Sequence, residues 1–105
     1  MLRIYRVTIE MVREVRPLAD QVARFDRDLA RQLRRASMSV PLNVAEKNGS
    51  RAGRRRLRYE DALGSARETL AGLQAAEAVG YIGGVDAELR RRFDHIIGTL
   101  VRLVC

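Results

Sequence analysis

Apolar residues recur in this chain at alternating steps of three and four through four successive segments, a spacing that selects amphipathic helices over strands. The first segment carries Val7, Met11, Val15, Leu18, Val22 and Phe25, and the second Leu29, Leu33, Ala36, Val40 and Val44. Tyr59, Leu63, Ala66, Leu70 and Leu73 mark the third, and Leu89, Phe93, Ile96, Leu100 and Leu103 the fourth. The pattern predicts helices over residues 4–24, 27–47, 51–79 and 86–104. Asp26 or Asp28 is placed to cap the second helix, Ser50 the third and Asp86 the fourth. Gly80 and the pair Gly83-Gly84 end the third. Short connections force neighbouring helices to run antiparallel. The expected fold is all-α, an antiparallel up-down-up-down four-helix bundle forming one domain over residues 1–105.

Two prolines and two glycines interrupt these helices. Pro17 and Pro41 each remove one backbone hydrogen bond, yet the apolar period continues on both sides, so kinks are expected rather than breaks. Ser37 and Ser39 lie within reach of the turn that Pro41 disturbs. Asn43 falls at the edge of the core stripe, with its amide expected to bond backbone freed by Pro41 or a facing Glu46 or Arg35. Gly64 and Gly72 inside the third helix cost about 1 kcal/mol each relative to alanine, and close helix approach is the expected compensation.

The second helix is apolar on two sides. At about 100° per residue, Met38, Leu42 and Ala45 point away from Leu33, Val40 and Val44. Ile97, Val101 and Val104 widen the apolar face of the fourth helix in the same way. A stripe at helical spacing that the bundle does not cover implies another subunit, so Met38, Leu42 and Ala45 are the expected oligomer interface.

Charge is as unevenly placed as the apolar residues. The formal net charge is +7, but Arg27 to Arg58 holds ten basic residues against Asp28 and Glu46, a net +8 that leaves −1 for the rest. A sided excess of this kind draws polyanions. Arg51, Arg54, Arg55 and Arg58 fall on one face of the third helix, where guanidinium forks suit phosphate. These four are the candidate nucleic-acid contacts. No stacking aromatic interleaves with them apart from Tyr59, and a solvated face paired with Glu46, Glu60 or Asp61 would look the same.

Enzyme chemistry finds no assembled group of residues. His95 is the only histidine and lies beside Phe93 and Ile96, where a partly buried helix residue is expected rather than a base. Cysteine and histidine show no metal-ligand spacing, and no cofactor site is expected. The stretch GSRAGRRR lacks the spacing of a phosphate loop and follows no strand. The lone Cys105 has no disulfide partner within the chain. The opening residues carry charges inside their apolar run and do not read as a secretory signal, and no apolar run approaches the roughly 20 residues of a membrane span. A cytoplasmic location and no membrane partner are expected.

From Gln32 to Ile82 the text carries further information. QLRRASMSVPLNVAE, a Gly-Ser-Arg hinge and ALGSARETLAGLQAAEAVGYI resemble the bacterial four helix bundle family, also called intervening-sequence or S23-type proteins. The likeness falls on Gln32, Arg34, Arg35, Ala36, Ser39, Val40, Pro41, Asn43, Val44, Ala45 and Glu46, then on Gly64, Ser65, Glu68, Gly80 and Tyr81. Lys47 departs from the family's usual glycine, and Arg55, Arg56 and Arg58 replace aromatic or aliphatic residues. The resemblance implies an antiparallel bundle assembled as a homopentamer. It also implies an origin in intervening sequences of 23S ribosomal RNA genes for some members. Distant relatives accompany diversity-generating reverse transcriptases, where a basic pentamer binds nucleic acid. It transfers no catalytic residue. Two readings follow: a non-enzymatic oligomeric module whose arginines contact RNA or DNA backbone, and a structural or adaptor protein whose partner is another protein.

Overall fold

The computed structural model describes residues 3–45 and 52–105. Four helices follow one another: α1 (Arg3–Ala23), α2 (Arg27–Val44), α3 (Ala52–Ala78) and α4 (Ala87–Val104). Each packs on its sequence neighbours, and α1 closes the ring against α4, as an up-down-up-down bundle requires. The helices run through Pro17 and Pro41, so neither proline ends one. α2 stops at Val44 rather than at residue 47.

The ends are set by the capping chemistry the residues offer. Asp26 accepts from the Leu29 amide at 2.9 Å and is the N-cap of α2, while Asp28 lies in the first turn and pairs with Arg31. Asp86 caps α4 in the same way, through the Leu89 amide at 2.8 Å. After α3 the Gly80 amide bonds the Glu77 carbonyl and the Tyr81 amide the Ala76 carbonyl. This pair of bonds is a Schellman motif, and it needs the left-handed φ of +83° that Gly80 adopts without a Cβ penalty. The expected Ser50 cap of α3 lies outside the described residues.

The core differs from the expected stripes in instructive ways. In α1 the buried line is Ile4, Thr8, Met11, Val15, Ala19 and Val22, with Val7 and Leu18 only half-buried at its side. Phe25 lies beyond the end of α1 and is 63% exposed, so its place in the period was accidental. In α3 the buried line is Ala62, Leu63, Ala66, Thr69, Leu73 and Ala76, while Tyr59 and Leu70 flank it. Thr8 and Thr69 are buried without cost because each hydroxyl donates to a carbonyl of its own helix. Leu103 is exposed rather than buried, one residue before the end of α4. His95 is exposed rather than partly buried.

Gly72 and Gly64 have different explanations. A Cβ built on Gly72 would stand 2.7 Å from Leu33 Cδ2, so this glycine lets α3 approach α2. A Cβ on Gly64 would meet nothing within 4 Å among the described residues, so close approach of α2 does not account for it. Among the described residues no helix is long and apolar enough to cross a membrane.

Candidate nucleic-acid interface

The length of α3 creates the site. At about 1.5 Å per residue its 27 residues reach about 40 Å, whereas the 18 residues of α2 reach about 27 Å. The surplus lies at the N-terminal end of α3, where every residue from Gly53 to Arg58 is exposed. Burial starts only at Tyr59 and becomes complete at Ala62. The uncovered turns carry Arg54, Arg55, Arg56 and Arg58 and no carboxylate. Leu57 among them is 59% exposed.

Two of these arginines stand in register with the buried face. Arg55 precedes Ala62 by seven residues and Arg58 precedes Thr69 by eleven, separations that return to within about 20° of one direction on a helix. Arg55 and Arg58 therefore prolong the inward side of α3 past the end of its packing, whereas Arg54, seven residues before the exposed Asp61, lies to the side of it. The expected fourth member of the face, Arg51, lies outside the described residues, as does Glu46.

Arg58 also belongs to a polar string that crosses from α3 to α2. Its Nη1 donates to Asn43 Oδ1 at 3.2 Å, and Asn43 Nδ2 donates to the Ser39 carbonyl at 2.9 Å and to Ser39 Oγ at 3.0 Å. Ser65 Oγ completes the string by donating to Ser39 Oγ at 2.9 Å. Asn43 thus bonds Ser39 and Arg58, not Arg35. Ser37 turns the other way and donates to the Arg34 carbonyl. Arg56 pairs with Glu60 at 3.3 Å, an exposed contact worth little in water. An open cleft runs along this string, with Asp61, Gly64 and Glu68 on its α3 wall. The Ser39–Ser65 contact was not foreseen, since two serines 26 residues apart leave no local pattern.

The candidate assembly surface lies elsewhere. Met38 and Leu42 are 53% and 67% exposed on the outer side of α2, and Ala45 is half-buried at its C-cap. Met38 also borders a shallow depression against Val12 and Val15 of α1. Among the described residues Met38 and Leu42 therefore stand uncovered on the outer side of α2, separate from the Arg overhang.

Among the described residues no group of three or more His, Cys, Asp or Glu side chains is placed to hold a metal ion. A family model described as 23S rRNA-intervening sequence protein matches residues 1–102 of the chain. The searches of curated proteins and of solved structures give no match.

Proposed function

The chain belongs to the 23S rRNA-intervening sequence protein family, and on that footing we propose that it is a non-enzymatic, self-associating helical module that contacts the phosphate backbone of RNA or DNA. The observation that carries this reading is the N-terminal overhang of α3, where four exposed arginines follow one another within five residues, with Arg58 at its inner edge bonded to Asn43 of α2. Guanidinium groups on an exposed helix approach a phosphate chain without first breaking a packed core, and counterion release supplies the binding free energy. Arg54, Arg55 and Arg58, with Arg51, are the proposed contacts. Arg58 enters this role already oriented by Asn43.

Self-association rests on Met38, Leu42 and Ala45, whose outward placement supports an interface between copies. A pentameric ring, the number suggested by the family resemblance, would repeat the overhang around one axis and multiply its field. The exposed α2 stripe also fits the second reading, an adaptor that binds another protein. Titration of labelled RNA and duplex DNA at several salt concentrations separates the two. Phosphate recognition predicts affinity that falls steeply with salt for both nucleic acids. Absence of binding at low salt would leave the adaptor reading.

A further inference from the structure

An aromatic pair that the sequence pattern hides stands at the end of the bundle opposite the overhang. Phe25 lies in the α1–α2 turn and Tyr81 just past the end of α3, 56 positions apart, yet their rings stack with centroids 5.1 Å apart and planes within 3°. Phe25 keeps 63% of its surface exposed although one ring face rests on Tyr81, so the opposite face is open to solvent. Buried aromatics are common, whereas a flat ring held parallel to another and left open on its outer side is a stacking surface.

The Tyr81 ring and the backbone that carries Phe25 are both held in place. Tyr81 packs against the hydrophobic core, and its amide closes the Schellman motif on the Ala76 carbonyl at 2.8 Å. The Phe25 amide bonds the Val22 carbonyl at 2.9 Å, and the Asp26 amide bonds the same carbonyl at 2.8 Å. Little order remains to be imposed when a third ring is added, which favours binding. Arg24 and Arg27 flank Phe25, both exposed and without an ion-pair partner among the described residues. The carboxylates interleaved with them are already engaged, Asp26 at the helix cap and Asp28 with Arg31.

We propose that the outer face of Phe25, backed by Tyr81, stacks an unpaired nucleobase while Arg24 and Arg27 hold the adjoining phosphates. A planar aromatic surface beside exposed guanidinium groups matches the two halves of a nucleotide in a single strand. A duplex keeps its bases stacked inside and offers nothing to this face. The inference rests on the nucleic-acid reading above and adds to it a preference for single strands.

The chain has no tryptophan, so Phe25→Trp introduces a single reporter at an exposed position where the fold is not at risk. Its fluorescence is followed while a short single-stranded oligonucleotide, as RNA and as DNA, is added at low salt. An abasic strand of equal length and a duplex are the comparisons, and anisotropy of labelled strands measures binding independently. Stacking predicts strong quenching by the base-bearing single strand and none by the abasic strand. It also predicts that Phe25→Ala binds the base-bearing strand about tenfold more weakly than the parent does. Equal binding of both strands with unchanged tryptophan emission would overturn the stacking proposal and leave backbone contact standing. Failure of every strand to bind would remove both. A tryptophan shift that depends on protein concentration alone would assign this face to a second copy of the chain and overturn the proposal.

Discussion

Gly64 and Gly72 carry the same helix-propensity cost and sit in opposite surroundings. Alanine at either position gains about 1 kcal/mol in helix propensity. At Gly64 the new methyl enters open space, so Gly64→Ala should stabilise the protein by about that amount. At Gly72 the methyl meets Leu33 Cδ2 at 2.7 Å, and Leu33 is fully buried, so the clash must be relieved inside the core. Urea melts should therefore place Gly72→Ala at least about 1 kcal/mol below Gly64→Ala; equal stabilities would mean that α2 and α3 separate freely. Asn43→Leu tests the polar string at the same scale. Removal of its bonds to Ser39 and Arg58 should cost about 1 kcal/mol, because the cleft is open and water replaces part of what the amide supplied. A variant as stable as the parent would show the string to be a surface arrangement without energetic weight. That Asn43 is a polar residue at the core edge was legible from the helical wheel. Its partners were not, because they depend on which turn of α3 lies opposite.

Between elements, α1 and α4 are joined by Arg92, which contacts Glu14 of α1 and lies 3.2 Å from Glu88 and 3.9 Å from Glu10. Burial raises the Glu14 carboxyl above its ordinary value of 4.5; the Arg92 guanidinium opposes this, and Asp86 and Glu88 reinforce it. A carboxyl whose folded pKa is raised binds more protons folded than unfolded, so its contribution to stability falls as pH rises from the ordinary glutamate range through the raised value. Across that window Glu14→Gln should gain on the parent in unfolding free energy as pH increases. If the parent gains on the variant instead, attraction to Arg92 outweighs burial. The helices themselves were legible in the sequence, since period, caps and glycine stops all pointed to one set of boundaries. The face of α3 was less so. Leu63, Ala66 and Leu73 of the expected stripe are buried, but Ala62, Thr69 and Ala76, too small or too polar to stand out in the sequence, complete the line in place of Tyr59 and Leu70. Phe25 misled for the opposite reason, since a large apolar side chain three residues after Val22 continues the period although the helix has ended at Ala23.

The whole molecule presents three separate surfaces: the apolar outer side of α2, the Arg overhang of α3 and the aromatic pair at the far end. Assembly through the first is tested by light scattering. The parent should scatter as an oligomer, and Leu42→Glu, altered at a position 67% exposed in the single bundle, should scatter as a smaller species with unchanged helix content. An unaltered oligomer would move the interface off α2. The predicted span of 51–79 already made the third helix the longest, but which end of it would project past its neighbours depends on how the helices pair, and the sequence does not give that. The central claim is that these arginines meet phosphates, and the slope of log affinity against log salt for a labelled single strand tests it most directly. Each phosphate neutralised adds about 0.7 to that slope for single strands. The double variant Arg54→Ala/Arg55→Ala should bind more weakly, with a slope shallower by about 0.7 for each phosphate it no longer neutralises, at unchanged helix content. A parent and variant with the same slope and affinity would contradict the claim.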